Sequence, residues 1–320
     1  MKGTVQVKIW NNRVQYKFTI KRNITILYGN SATGKTTLID MIAEYENNND
    51  SGISLQCEKE CVVIEGRYWK DNLQKTKDSI VFIDEGSEFI TSKEFAEEVR
   101  KSDNYYVIAT RNPLPMLPYS VDEIYGITNK TRGYGRVKRL YSEFQRIYTP
   151  FDTIKKPDLV ITEDSNAGFQ FFLEYFSSLN IPCISAKGKA NIMKTVMKFS
   201  DSQTVLIIAD GAAFGSEMEK ANQLKYSKEI ILYLPESFEW IILSSELFNK
   251  GQISDILRDP SEYIESENYF SWERFFTTLL TDTAKDTYLS YNKRKLNPAY
   301  LQKHESNEII NVTPLSEIPE

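Results

Sequence analysis

The segment from position 29 to 36 constrains this chain more than any other. It reads Gly-Asn-Ser-Ala-Thr-Gly-Lys-Thr, with a lysine and a threonine directly after the second glycine. An apolar run, Ile24–Tyr28, comes before it, and the pattern from 37 to 45 predicts a helix after it. Glycines allow a turn that aims backbone N–H groups at one point, and a helix N-terminus adds favourable partial charge there. The segment therefore predicts an anion site between a strand and a helix.

These eight residues match the Walker A pattern in full, and the chain is thereby similar to P-loop nucleoside triphosphatases. The resemblance implies that ATP binds with Mg²⁺. Lys35 would reach the β- and γ-phosphates, and the Thr36 hydroxyl would ligate Mg²⁺. A guanine-reading Asn-Lys-x-Asp motif does not occur, which favours ATP over GTP. The predicted nucleotide-binding residues are Gly29, Asn30, Ser31, Ala32, Thr33, Gly34, Lys35, Thr36 and Thr37.

Two later strands end in polar residues. The apolar run at 80–83 is followed by Asp84 and Glu85, and this resembles a Walker B strand. Asp84 would hold Mg²⁺, and Glu85 would polarise the attacking water, so Glu85 and Lys35 are the predicted catalytic residues. The run at 105–109 resembles a sensor strand, because polar residues at its tip could read the γ-phosphate. The candidate sensor residues are Thr110, Arg111 and Asn112.

The order of these segments resembles the P-loop class that has an extra strand between the Walker A and Walker B strands and an adjacent catalytic glutamate. That class includes the ABC and AAA ATPases. A Leu-Ser-Gly-Gly-type signature does not occur, so an ABC-type dimer sandwich is not predicted.

In the second half of the chain, two strand ends carry acids. The run at 159–162 is followed by Glu163, and the run at 205–209 by Asp210, with Gly215 five positions later. This layout resembles the Toprim domain of topoisomerases, bacterial primases and overcoming-lysogenization-defect nucleases. The resemblance implies that Glu163 and Asp210 bind Mg²⁺ and support phosphodiester chemistry. The sequence departs from the family pattern at Ala212, where a second aspartate is expected.

This departure leaves three interpretations open: an active nuclease, an inactive Toprim-like binding module, and an unrelated α/β domain whose acids only end strands or cap helices. Asp164, Glu217 and Glu239 are the candidates to replace the missing ligand. An ATPase joined to a Toprim-like domain resembles, in logic, the anti-phage nucleases of the overcoming-lysogenization-defect type. The chain is much shorter than those proteins.

A basic segment with tyrosines lies between the two halves. Positions 130–148 hold six basic residues and one acid, Glu143. Lys and Arg neutralise backbone phosphates, and tyrosines stack on bases, so the segment is a candidate contact for DNA or RNA. A solvated loop, or a contact with the acidic second half, is the alternative. The candidate contact residues are Lys130, Arg132, Arg136, Lys138 and Arg139.

Composition limits the class of protein. The net charge of −5 argues against a surface coated with nucleic-acid-binding charge, although it allows a local patch. The three cysteines show no framework spacing, which predicts reduced thiols and no zinc site. An apolar run of the ~20 residues that span a bilayer does not occur. We expect a cytoplasmic protein with no membrane partner. A homo-oligomer or a protein partner remains open.

The predicted fold class is α/β with two parallel-sheet domains. Alternation between positions 4 and 20 predicts a β-hairpin at the start. A P-loop ATPase domain would cover 1–150, a Toprim-like domain 151–240, and a helical extension with a loosely held polar tail 241–320. The predicted function is ATP hydrolysis coupled to Mg²⁺-dependent action on nucleic acid, as a nuclease or DNA-processing enzyme in phage defence or a mobile element. The alternatives are a non-nucleolytic ATP-dependent switch and a small-molecule kinase.

Overall fold

The chain forms two α/β units, each assembled from more than one segment. The computed structural model describes residues 1–29, 33–48, 50–134 and 137–318, without the side chains at 132–134 and 137–138. Unit 1 comprises Met1–Tyr119, Glu123–Tyr148 and Ser261–Phe270. Unit 2 comprises Ser120–Asp122, Thr149–Pro260 and Ser271–Glu320. The predicted third segment, 241–320, is thus divided between the two units.

Unit 1 is built on a mixed sheet with the strand order β4-β1-β2-β9-β8-β3-β7-β6-β5. Its centre is parallel: β8, β3, β7, β6 and β5 all run in one direction. The strands are β1 Val5–Trp10, β2 Val14–Ile20, β3 Ile24–Tyr28, β4 Ser54–Gln56, β5 Cys61–Val63, β6 Ile80–Ile83, β7 Tyr105–Thr110, β8 Ile124–Tyr134 and β9 Val137–Arg146.

The sequence predicts a parallel sheet that follows a hairpin at the start. The sheet is instead mixed, because two antiparallel hairpins are part of it. The predicted hairpin at the start is confirmed, because β1 pairs with β2 and Val7 lies opposite Phe18. Strands β8 and β9 form the second hairpin. In β1 and β2, buried and more exposed residues alternate, since only one face of an antiparallel pair needs to meet the core.

In the described part of unit 1 the α-helices are α1 Lys35–Asn47, α2 Trp69–Lys75 and α3 Lys93–Arg100. Helix α1 buries Leu38, Met41 and Ile42 in the same core as the buried face of the first hairpin. Helix α3 begins after Ser92, whose side chain accepts a hydrogen bond from the Phe95 backbone at 3.1 Å. Both helices follow strands that end on the same sheet edge, the layout that the alternating sequence pattern predicts.

Unit 2 is built on a parallel sheet with the order β11-β10-β12-β13. Its strands are β10 Leu159–Thr162, β11 Cys183–Ser185, β12 Val205–Ile208 and β13 Ile230–Tyr233. Every residue of β10, β12 and β13 is buried, as expected for parallel strands covered on both faces. The helices are α4 Ala167–Ser178, α5 Lys189–Val196, α6 Met218–Leu224, α7 Phe238–Ser244, α8 Gln252–Arg258, α9 Trp272–Ala284 and α10 Lys303–Asn311.

The prediction of a loosely held polar tail is wrong up to residue 318. Helix α10 buries Ile309 and Ile310, and the turn that follows it buries Leu315 and Ile318. The Thr313 side chain accepts a hydrogen bond from the Leu315 backbone at 3.2 Å. These four buried apolar side chains therefore hold the segment in place. The sequence analysis missed them because polar residues dominate the composition of the segment. Among the described residues, none of the helices has the length and apolar character that a membrane crossing needs.

Candidate nucleotide site and acidic pocket

The glycines of the predicted nucleotide loop adopt the conformations that the pattern requires. Gly29 has φ 141° and Gly34 has φ 97°, and Gly34 is the residue before α1. The Tyr16 hydroxyl donates a hydrogen bond to the Gly34 carbonyl at 2.9 Å, and a Cβ at position 34 would lie 2.9 Å from that hydroxyl. Position 34 therefore needs glycine for both conformation and space. Asn30, Ser31 and Ala32 lie outside the described residues.

The Lys35 side chain contacts residues on both sides of positions 30–32. Its Nζ donates a hydrogen bond to the Gly29 carbonyl at 2.6 Å and lies 3.4 Å from Thr33 Oγ1. It also lies 3.8 Å from Glu85 Oε2, and the residue is only 4% exposed. Burial lowers the pKa of Lys35, and the Glu85 carboxylate opposes that shift. Lys35 is thus held beside Gly29 and Thr33, which flank positions 30–32. Thr37, in the first turn of α1, is exposed.

The predicted Mg²⁺ ligands meet at the sheet edge. Thr36 lies in the first turn of α1, Asp84 follows β6, and Thr36 Oγ1 is 3.5 Å from Asp84 Oδ1. Thr36 and Asp84 are 48 positions apart in the sequence. Strand β7 lies in the sheet between β3, which precedes α1, and β6, which precedes Asp84. A hydroxyl and a carboxylate are hard oxygen ligands, so the two residues fit a Mg²⁺ ion.

Arg111 forms a salt bridge with Glu85, the predicted catalytic glutamate. Its Nε donates to both carboxylate oxygens of Glu85, at 3.1 and 3.0 Å, and its Nη2 also donates to Oε1. These bonds hold the pKa of Glu85 below its ordinary value. Of the three candidate sensor residues, Arg111 is therefore the one that pairs with Glu85, and all three line the groove beside it. Thr110 is buried, and its hydroxyl donates to the Asn112 carbonyl at 2.8 Å, which shapes the turn after β7.

Open space borders these side chains. A groove of about 630 Å³ runs beside Glu85, Arg111 and Ser87. A second groove, of about 500 Å³, lies beside Asp84, Arg67 and Trp69. Volumes of this size are in the range of small-molecule sites.

In unit 2, Glu163 and Asp210 lie next to each other, as the sequence predicts. Strands β10 and β12 are adjacent and parallel, so their carboxyl ends share one edge. The Asp210 backbone N–H donates to Glu163 Oε2 at 3.2 Å. The chain is crowded there: a Cβ on Gly211 would lie 2.3 Å from the Leu234 carbonyl oxygen. Gly211 therefore lets the strand end approach its neighbour closely.

Three residues that the sequence analysis missed complete this edge: Glu273 on α9, and Tyr291 and Lys293 in the segment after it. Lys293 Nζ lies 3.6 Å from Glu239 Oε1 and forms an ion pair with Glu273. The Tyr291 hydroxyl donates to Glu239 Oε1 at 2.8 Å. We use the term acidic pocket for Glu163, Asp210, Glu239, Glu273 and Lys293.

The three candidates to replace the ligand missing at Ala212 differ in their position and in their partners. Glu239, 2% exposed, lies in the acidic pocket. The Glu217 side chain instead pairs with Lys220 at 3.2 Å. Asp164 accepts hydrogen bonds from Asn166 within its own loop. Ala212 itself is buried and supplies no side-chain oxygen.

Two acids of the pocket, Glu163 and Asp210, have raised pKa values. Burial raises the pKa of Glu163 to about 7, although the Asp210 N–H opposes the shift. Burial also raises the pKa of Asp210 well above its ordinary value, and Glu273, Glu163 and Glu239 add to that effect. The folded pocket therefore binds protons more tightly than the unfolded chain does.

We expect unit 2 to lose stability as the pH rises. The pKa of Glu163 is about 7 when folded, against an ordinary 4.5, so stability falls between pH 4.5 and 7 and the loss is complete above pH 7. The contribution of Glu163 is on the order of 3 kcal/mol. Urea unfolding from pH 5 to 8 should show a flatter pH dependence for Glu163→Gln than for the exposed control Glu174→Gln. Equal slopes in the two variants would contradict this assignment.

The basic segment forms the end of the β8–β9 hairpin. Lys130 pairs with Glu143 at 3.3 Å, and Arg139 Nη2 donates to the Asn11 carbonyl at 2.8 Å. Both residues thus have partners within unit 1. The side chains of Arg132 and Lys138 and the whole of Arg136 lie outside the described part of the chain, so contact with nucleic acid stays a prediction.

Comparison with known proteins adds no relative. A scan against protein-family models gives no match, and a search of curated proteins also gives none. The argument about function therefore rests on the geometry of the two sites.

Proposed function

We propose that unit 1 binds ATP with Mg²⁺ and hydrolyses it. The observation that carries this proposal is the approach of Thr36 to Asp84, 3.5 Å apart, at the start of the helix that follows Gly34. The position of β7 between β3 and β6 supports the class of P-loop proteins with an inserted strand. Glu85 directly follows Asp84, where that class has its catalytic glutamate.

Each side chain then has a definite task. Thr36 and Asp84 would hold Mg²⁺, which neutralises phosphate charge when bound. Lys35 would exchange the Gly29 carbonyl for phosphate oxygens. Glu85 is ionised because Arg111 pairs with it, so its carboxylate can accept a proton from an attacking water. The same bidentate pair restrains Glu85 in the nucleotide-free chain, and Arg111 can release it by turning toward a γ-phosphate.

The first experiment is hydrolysis of ATP and GTP by the wild-type chain, with and without single- and double-stranded DNA. Turnover stimulated by DNA would favour an ATPase that acts on nucleic acid. ATP binding without turnover and without a DNA response would favour a nucleotide-dependent switch with a protein partner. Absence of nucleotide binding would overturn the proposal, and phosphoryl transfer to a nucleoside would favour the kinase alternative.

For unit 2, two proposals compete. The contact between Glu163 and Asp210 at one sheet edge favours Mg²⁺-dependent phosphodiester chemistry by a Toprim-like domain, as in phage defence or a mobile element. Ala212 and the Lys293 ion pairs favour a binding module without nuclease activity, which ATP would switch. For the nuclease, DNA or RNA is the proposed partner, with the β8–β9 hairpin as its candidate contact. The binding module would take nucleic acid or a partner protein. A cytoplasmic location and the oligomeric state stay open to test.

A nicking assay on supercoiled DNA separates the two proposals. The nuclease predicts metal-dependent nicking that Glu163→Ala and Asp210→Ala each abolish, with Glu174→Ala as the exposed control. The binding module predicts no nicking with any metal or nucleotide. Nicking that survives both substitutions would point to a contaminating nuclease and leave unit 2 without support as an enzyme.

A further inference from the structure

The acidic pocket already contains a cation. Lys293 lies between two carboxylates from different helices, Glu239 of α7 and Glu273 of α9. The side chains of Lys293 and Glu273 are 31% and 25% exposed, and that of Glu239 is 2% exposed. An ion pair this sheltered is only weakly screened by solvent. Lys293 therefore balances much of the charge that the acids carry.

Charge keeps this ammonium in place. Burial alone would lower the pKa of Lys293, but Glu239, Glu273 and Asp210 raise it above its ordinary value. Glu239 also accepts the hydroxyl of Tyr291, so both a proton donor and an ammonium face its carboxylate. One Glu163 oxygen accepts the Asp210 backbone N–H. These bonds compete with a metal ion for the lone pairs of Glu239 Oε1 and Glu163 Oε2.

The free space does not suit a hydrated ion. The cavity that remains among Glu163, Asp210, Glu239 and Lys293 measures about 40 Å³. One water needs about 10–15 Å³ on this scale, so the cavity has room for roughly three waters. Mg²⁺ takes six ligands in a near-ideal octahedron and keeps several waters of its own. Among the residues described, no group of three or more His, Cys, Asp or Glu side chains is arranged to hold a metal ion. The donor set of this pocket thus does not fit Mg²⁺ while Lys293 is present.

We propose that the Lys293 ammonium is the resident cation of the acidic pocket in place of a divalent metal ion, and that removing this ammonium converts the pocket into a divalent-cation site. Glu239 and Glu273 would then face the position that the ammonium leaves, with Glu163 and Asp210 at the neighbouring strand ends, and loss of the Nζ group would enlarge the cavity. Carboxylate oxygens suit Mg²⁺ and Mn²⁺. The proposal concerns unit 2 alone and stands independently of nucleotide hydrolysis in unit 1.

The test is a titration of the nucleotide-free chain with Mn²⁺. Electron paramagnetic resonance measures the concentration of the free ion, and the bound ion is the difference from the total. The variants are Lys293→Met, Asp210→Asn, the double variant that carries both substitutions, and the exposed control Lys285→Met. Lys293→Met should gain about one bound ion per chain relative to the wild type and Lys285→Met, and the double variant should lose it. Lys293→Met should also melt at a lower temperature than Lys285→Met, and Mn²⁺ should restore its melting temperature.

Two results would overturn the proposal. One is a wild-type chain that binds a Mn²⁺ ion which Asp210→Asn removes, because Lys293 would then yield the site to metal. The other is a folded Lys293→Met variant that gains no ion. The comparison of the wild type with Asp210→Asn does not depend on the Lys293 variant, so it decides the first half of the proposal even if that variant fails to fold.

Discussion

Replacing Glu85 by glutamine is expected to lower ATP turnover about 10²- to 10⁴-fold while ATP binding is retained. Glutamine keeps the size of the side chain and can still accept a hydrogen bond from Arg111, but it cannot take a proton from water. Asp84 and Thr36, the proposed Mg²⁺ ligands, are unchanged. The expected result is therefore a chain that holds ATP and does not consume it.

The measurement pairs steady-state hydrolysis with equilibrium binding of a fluorescent ATP analogue. Glu88→Gln is a matched control, because Glu88 is an exposed acid that lines the same groove. We expect turnover by Glu88→Gln to equal that of the wild type. Unchanged turnover by Glu85→Gln would show that another group acts on the water and would leave Glu85 as a partner of Arg111 only.

The candidate nucleotide site could be predicted from the sequence because its residues are close together in the chain. Gly29, Gly34, Lys35 and Thr36 fall within eight positions, and the pattern assigns the glycines to the turn and the two side chains to phosphate and metal. Asp84 ends a strand of four buried residues, a pattern visible without any structure. The partner of Arg111 was not predictable, because it depends on how β6 and β7 align side by side.

The acidic pocket shows where sequence reasoning stops. Glu163 and Asp210 could be paired, since the ends of neighbouring parallel strands meet at one edge. Glu273 and Lys293 lie more than 60 positions later on helices and loops without a motif, and only the packing of α7 and α9 brings them together. A second long-range contact joins Ser261–Phe270 to unit 1, where the Gly3 backbone N–H donates to the Ser261 carbonyl at 2.8 Å.

Local patterns also misjudged some elements for physical reasons. After the first hairpin, parallel strands were expected in the rest of unit 1, because buried strands read as apolar runs whichever way their neighbours run. The β8–β9 hairpin was read as a basic segment, since its charges dominate its composition. In both cases the residue types were read correctly, and the pairing between strands, which no single segment specifies, decided the architecture.

Replacing Lys35 by alanine is expected to weaken ATP binding about 30-fold or more, because a buried ammonium that pairs with phosphate contributes on the order of 2–5 kcal/mol. Turnover should fall with binding, and any stimulation by DNA should disappear. The fold should survive, since Glu85 keeps its bidentate partner Arg111 when Lys35 is removed. Near-ultraviolet circular dichroism checks that point.

Lys93→Ala is the matched control for this substitution. It removes the same charge from unit 1, but its side chain is 83% exposed and pairs with Glu97 on its own helix. Binding and turnover by Lys93→Ala should equal those of the wild type. If Lys35→Ala binds ATP as tightly as the wild type does, the loop at 29–36 does not hold the phosphates, and the proposal for unit 1 fails. If both Lys35→Ala and Glu85→Gln bind ATP weakly, the two side chains stabilise the loop together, and the division between a binding residue and a catalytic residue is wrong.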